Sequence, residues 1–407
     1  MFLTRSPGAV ATASKIAVRQ TQQRSLSWIS RWKSSTPDAA LSSSPTLPPQ
    51  PLSAPTVTPS QPSPPPLSGS NATPPSPPSA NAFSTVNQAE IDHFSRLSSQ
   101  WWNEKGEFGL LHKMNPTRME FVRQKIAQGV QDDEGWSFGK RNRVDEQGRL
   151  IKWEGEAARS VRKGKWLEGM DVLDVGCGGG LLSESLARVG GNVLGIDASS
   201  HNIAIASLHA SQDPFLPFRS DSPLVASTSQ SPNSAKQEGK TGSLRYRHTS
   251  AEELLKEGKQ YDVVCSMEVL EHVDSPGEFL KCLADMVKPS GHLILSTISR
   301  TPLSQLLTIT MAEHVLRLVT PGTHTYSKFI KPAELLAFVR DDLGGTDVWE
   351  ADGDGLVDGG REGGGVSVGE VRGIVYDPLS GQWRLWKEGL PFGDLCNYMF
   401  HIRKKSV

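Results

Sequence analysis

Cysteine is scarce in this chain: four residues in 407, at Cys177, Cys265, Cys282 and Cys396, with no C-x-x-C pair among them. That excludes a disulfide framework and a structural zinc site, and leaves reduced, mostly buried thiols in a reducing compartment. No uncharged apolar run approaches the roughly 20 residues that span a bilayer. Neither sign of charge is in excess, with 43 Lys and Arg against 44 Asp and Glu. With no basic block in the part that folds, nucleic acid is not expected as a partner.

Two further absences divide the chain. No acidic residue precedes Asp38, while Arg5, Lys15, Arg19, Arg24, Arg31 and Lys33 are spaced among Ser and Ala. Residues 1–37 therefore read as a mitochondrial transit peptide able to form a basic amphipathic helix. From Ala39 to Ala89 there is no charge at all, and half of the chain's 28 prolines lie between residues 41 and 80. Proline removes backbone donors and the segment offers little to bury, so 38–83 is expected to be a disordered Pro/Ser-rich linker. The folded unit is placed at 84–407.

Within that unit the patterning is regular. Residues 88–104 predict a helix ending at Trp101-Trp102. Residues 115–129 predict another, with Asn115 as N-cap and Pro116 at the first helical position. Strands are expected at 172–175, 192–196, 244–247, 261–266 and 292–297, with helices at 181–189, 201–210 and 276–286 between them. This alternation predicts an α/β, Rossmann-like fold: a central, mostly parallel sheet with helices on both faces. Ser/Pro-rich residues 211–240 and Gly/Asp-rich residues 342–370 read as surface insertions.

The segment Val172-Leu173-Asp174-Val175-Gly176-Cys177-Gly178-Gly179-Gly180-Leu181 runs from a strand through a glycine loop into a helix. Glycines let a ligand approach the backbone. The spacing departs from the dinucleotide pattern G-x-G-x-x-G, because Gly180 comes one position early. Asp174 precedes the loop, and a carboxylate there suits the cationic sulfonium of S-adenosylmethionine better than it suits a pyrophosphate. Asp197 ends the next strand, where a carboxylate can accept both ribose hydroxyls. Ser250-Ala251-Glu252 would flank the adenine. The turn Lys288-Pro289-Ser290-Gly291 completes an ordered series of signals.

On the acceptor side, Met267 to Val273 lies just past the fourth strand, at the edge where open α/β sheets bind ligands. If this turn is helical, Glu268, Glu271 and His272 share a face and could hold a divalent cation. Magnesium prefers oxygen ligands, whereas zinc or manganese would suit the imidazole. Such an ion would lower the pKa of a bound phenol. Without an ion, His272 is left to pack or to act as a base.

Several segments together resemble the O-methyltransferases of ubiquinone biosynthesis in their fungal mitochondrial form. They are Trp101–Phe108, Leu111–Arg118, the loop from Leu173 to Leu181, Met267–Val273, Gly322-Thr323-His324 through Phe329-Ile330-Lys331-Pro332, and Asn397-Tyr398-Met399. The resemblance covers most of residues 88–341 and 371–402, and it implies a class I methyltransferase fold with a central, mostly parallel, seven-stranded sheet. It implies S-adenosylmethionine contacts at Arg118, Gly176, Asp197 and Met267, with Asp174 and Gly178 in the same loop. It implies a magnesium site at Glu268, Glu271 and His272. It also implies two O-methylations, of 3,4-dihydroxy-5-polyprenylbenzoate and of demethylubiquinol, with Glu271 and His272 as the catalytic pair. The expected mechanism holds the phenolate on the metal, gives its proton to His272 or a metal-bound hydroxide, and attacks the methyl in line. The resemblance further implies a peripheral position on the matrix side of the inner mitochondrial membrane, within a multi-subunit ubiquinone biosynthesis complex. Residues 303–319 predict an amphipathic helix with Leu306 and Leu307 on its apolar face and Glu313 on its polar face, suited to lie on that membrane. The alternatives are a methyltransferase for another catechol-like small molecule and a catalytically silent assembly subunit.

Overall fold

Strand β1, Asp171–Val175, is apolar on both faces except for Asp171 at its start and Asp174, as a strand covered from two sides must be. The computed structural model describes residues 84–133, 164–220, 242–350, 368–387 and 390–406. The expected transit peptide and linker lie outside the described residues. Helix α1 spans Gln88–Leu97, capped by Asn87 through a bond from the Glu90 amide. Helix α2 spans Gly109–Asp133 and α3 spans Leu181–Arg188. Strand β2 is Asn192–Asp197, followed by α4, Ser200–Gln212, and β3, Ser243–His248. Then come α5, Ala251–Leu255, β4, Tyr261–Met267, α6, Pro276–Asp285, and β5, Val287–Ile298. Helix α7 is Pro332–Asp342, and the last strands are β6, Trp349–Glu350, β7, Glu370–Asp377, β8, Gln382–Leu385, and β9, Asn397–Lys404.

The described strands form one sheet in the order β3-β2-β1-β4-β5-β9-β7-β8, with β6 also on β9. The first five are parallel, in register as Asp174↔Gly195 and Asp174↔Cys265. β9 runs antiparallel to β5. The sheet thus has nine strands where seven were expected. The strands that alternation did not locate are the two-residue β6, the β7–β8 hairpin and β9. Successive residues of each central strand enter opposite layers. Leu173, Leu194, Val264 and Leu295 belong to one core, and Val172, Val193, Val263 and Ile294 to the other. The strand order reverses between β1 and β4, so a crevice opens at their carboxyl ends.

Three expectations need correction. Helix α2 starts six residues before Asn115, and Pro116 lies inside it. The early turns form because Phe108 and Met114 are buried, which outweighs the donor that Pro116 removes. Asn115 is not a cap; its amide donates to Leu181 O at 3.3 Å and Ser185 Oγ at 2.9 Å. The Gly/Asp-rich stretch beginning at 342 is not all insertion, since Trp349 is buried and β6 pairs with Arg403 and Lys404. Residues 305–315 wind as a π-helix, Gln305–Val315. Its wider turn moves Glu313 from the expected polar face to the interior, at 1% exposure. There Glu313 accepts from the amides of Gly322 and His324 and meets His324 Nδ1 at 2.7 Å. Leu306 and Leu307 remain in solvent.

Candidate functional site

The crevice contains a cavity of about 870 Å³. At its inner end β1 turns into the glycine loop, whose Gly176 and Cys177 amides bond Ile196 O at 2.8 and 3.0 Å. Gly178 has φ +54°, and a Cβ there would overlap the indole of Trp101. Only glycine permits both the left-handed backbone and that close approach. Trp101 stacks on Phe108 at 3.9 Å and donates Nε1 to Asn202 Oδ1 at 3.0 Å. Trp102 donates Nε1 to Gly179 O at 3.0 Å. The two indoles therefore clasp the loop from outside. They were legible as a motif but not as a roof, because nothing local says what a tryptophan pair after a helix will cover.

Asp197 ends β2 on the cavity wall. Its Oδ2 accepts from Gly178 N at 2.9 Å, and its Oδ1 accepts from Ser199 N at 2.8 Å and Asn202 Nδ2 at 3.2 Å. Burial raises its pKa, and these donors oppose the rise. Gly176, Gly178 and Met267 also line the cavity, as do Ser250, Ala251 and Glu252. Glu252 Oε1 accepts from Thr85 N at 2.6 Å, which ties the segment before α1 to this wall.

Asp174 and Arg118 are not among the lining residues. Asp174 is buried, accepts from Ser183 Oγ at 2.5 Å, and has its carboxyl pushed up to about 6 by burial. Arg118 is buried with Nη2 3.4 Å from Glu268 Oε1, and its Nε and Nη2 have no hydrogen-bond partner among the described residues. Asp174 thus braces the loop rather than facing the cavity, while Arg118 keeps unused donors beside Glu268.

Glu268, Glu271 and His272 line the cavity, but not as one helical face. The segment after β4 is a turn, and Glu268 sits at φ +55°. The i, i+3, i+4 spacing then loses its meaning, and the three side chains take different partners. Glu268 Oε1 accepts from Ser296 Oγ at 2.6 Å. Glu271 Oε2 accepts from Thr297 Oγ1 at 2.7 Å, while its Oε1 is buried with no hydrogen-bond partner among the described residues. Burial, reinforced by Glu268, pushes the Glu271 carboxyl up to about 8. His272 turns to α1, with Nδ1 3.2 Å from Glu90 Oε2 and Phe94 edge-on at 5.0 Å. Burial lowers the His272 pKa, and Glu90 partly restores it. Among the described residues no three His, Cys, Asp or Glu side chains group to hold a metal ion. The expected magnesium set therefore does not fit this arrangement. Glu90 is the functional candidate that the sequence alone did not reveal. It lies 182 residues from His272, and only its face on α1 beside Phe94 could have hinted at it.

The outer part of the cavity is walled by residues 303–319 and by the β7–β8 hairpin. Among the described residues no helix is long and apolar enough to cross a membrane.

Residues 155–337 match the family described as Methyltransferase domain. The chain is 37% identical over 325 residues to the mitochondrial ubiquinone biosynthesis O-methyltransferase of Schizosaccharomyces pombe, covering 79% of this chain and 87% of that one. It is 33% identical over 307 residues to the mitochondrial enzyme of that name from Arabidopsis thaliana, covering 75% and 72%. It is 33% identical over 302 residues to the Roseobacter denitrificans ubiquinone biosynthesis O-methyltransferase, covering 74% and 91%.

Proposed function

The chain belongs to the ubiquinone biosynthesis O-methyltransferase family, and from that premise we propose that it methylates ring hydroxyls of 3,4-dihydroxy-5-polyprenylbenzoate and of demethylubiquinol. The observation that carries the reading is a single cavity lined by Gly176, Gly178 and Asp197 at one end, Glu271 and His272 in the middle, and apolar side chains beyond. At about 870 Å³ it lies high in the range of roughly 300–1,000 Å³ usual for ligand pockets, room for a donor and an acceptor together.

S-adenosylmethionine, when bound, supplies an electrophilic methyl on a cationic sulfonium. Asp197 holds the ribose hydroxyls, the glycine loop admits the backbone-facing side of the donor, and Met267 packs beside it. Arg118, beside Glu268 and just behind the cavity wall, has Nε and Nη2 without hydrogen-bond partners among the described residues and suits a carboxylate, which guanidinium binds in a fork. Trp101 and Phe108 exclude water from the loop, which strengthens every polar contact inside.

His272 takes the proton from the attacking phenol. Its lowered pKa keeps it neutral at pH 7, and Glu90 accepts the Nδ1 proton, leaving Nε2 as the base. Glu271, protonated at neutral pH by its burial, donates to the neighbouring ring oxygen and fixes which hydroxyl faces the methyl. Positioning of the two reactants and an oriented neutral base supply the acceleration. No step is assigned to a metal.

The relatives named as mitochondrial favour a mitochondrial location here. The exposed Leu306 and Leu307 favour peripheral contact on the matrix side of the inner membrane, within a biosynthetic complex. The reading is tested with purified protein, S-adenosylmethionine and short-chain forms of both acceptors, following methyl gain by mass spectrometry. Absence of transfer to either acceptor overturns it. Liposome flotation of a Leu306→Glu/Leu307→Glu variant tests the membrane contact; flotation equal to that of the unchanged protein removes it.

A further inference from the structure

We propose that the β7–β8 hairpin and the loop at 390–393 form the seat of the acceptor's isoprenoid chain, facing the leucine-rich wall of residues 303–318. The inference rests on the proposed acceptor class and adds where its chain lies.

The hairpin and its loop put Tyr376, Trp383, Trp386 and Phe392 on the cavity wall. The facing wall carries Leu303, Leu307, Met311 and Leu316. Neither segment contributes a charged side chain to the lining, so this half of the cavity takes neither phosphate nor nucleotide. The other half already has its polar groups, at Asp197 and at the turn of Glu271 and His272. An apolar chain attached to a polar ring is the occupant that matches both halves at once.

The loop is built to keep this wall in place. Trp386 donates Nε1 to Leu390 O and Pro391 O, both at 3.2 Å, and its amide bonds Gly373 O at 2.8 Å. Its indole fills the space that a side chain at Gly393 would need. Phe392 is held at φ +72°, a backbone conformation that a bulky residue rarely adopts, and its ring is left 72% exposed at the cavity rim. A strained, exposed aromatic residue serves no purpose in the core; at the mouth of an apolar channel it meets a ligand. The two walls are also stitched together. Ser299 N bonds Cys396 O at 2.6 Å, and Thr301 Oγ1 donates to Leu395 O. The start of the 302–315 helical segment and the loop after the hairpin thus form one mouth.

The test compares 3,4-dihydroxybenzoate with its 5-prenylated short-chain derivative in the full-length protein and in Phe392→Ser and Trp386→Leu variants. The chain should lower KM in the unchanged protein. Each variant should raise KM for the prenylated acceptor about tenfold, the scale of losing one buried aromatic contact, with kcat near its original value. Turnover of the ring-only acceptor and affinity for S-adenosylhomocysteine should not move, which also shows that the variants fold. Equal losses on both acceptors, or no loss on either, overturn the assignment of the hairpin. An unchanged protein that methylates neither acceptor defeats the acceptor class itself, a result distinct from failure of the variants alone.

Discussion

Replacing Glu90 by glutamine isolates the group that aims His272. It takes the charge from a contact that runs from Nδ1 to a carboxylate at 3.2 Å. Such hydrogen bonds contribute about 1.5–3 kcal/mol, and this one is longer than the ideal, so the lower half of that range applies. Glutamine can still accept the Nδ1 proton, but it brings no charge to stabilise the imidazolium formed as the phenol loses its proton. At about 1.36 kcal/mol per factor of ten, kcat should fall by a factor of about 10 to 45. The sign of the pH effect is also fixed. Glu90 raises the His272 pKa through its hydrogen bond and its charge, against the lowering by burial. Without it the pKa falls further, so the acid limb of kcat/KM must move to lower pH even as the plateau drops. Methyl transfer from labelled donor across roughly pH 5–9 reads both. Glu90→Asp, which keeps the charge, should recover part of the rate. Lys328 shares the carboxylate at 3.3 Å, so calorimetric binding of S-adenosylhomocysteine serves as the control for an intact site. An unchanged plateau, or an acid limb displaced upward, would refute the positioning role.

Asp197→Asn should weaken S-adenosylhomocysteine binding about tenfold to a hundredfold, the scale of hydrogen bonds to a charged acceptor, with melting little changed; undiminished binding by calorimetry argues that the ribose lies elsewhere. Burial holds His292 down to about 3, and His401, 2.9 Å away, well below its ordinary value. Both pKa values are lower in the folded state, so their contribution is present above the unfolded value near 6.5 and lost as pH falls below it. His292 alone should cost about 2 kcal/mol between roughly pH 6.5 and 5, seen as a falling urea midpoint; flat midpoints over that window contradict it. With His272 turned to Glu90, magnesium titrated into the protein should give no heat that depends on the imidazole; tight binding abolished by His272→Ala would show that the turn rearranges around a cation.

The sequence by itself determined the parallel half of the sheet, because apolar runs such as 263–265 and 293–295 can be satisfied only between two covering layers. It brought Gly176, Gly178 and Asp197 to one cavity for the same local reason: they lie at strand ends, and strand ends converge on one edge of a parallel sheet. The antiparallel half was not legible, since β6 has two residues and β7 and β8 carry mixed polarity. The surroundings of Glu268, Glu271 and His272 were decided only by tertiary structure. Helical spacing predicted one face for Glu268, Glu271 and His272, but the left-handed backbone at Glu268 breaks that spacing, and the partner that orients His272 comes from a helix 182 residues earlier. Likewise a π-turn, not the 3.6-residue period, chose which way Glu313 faces. Local patterns fix what each segment must bury; which distant side chains meet depends on how the layers pack, a long-range property that no single window of sequence contains.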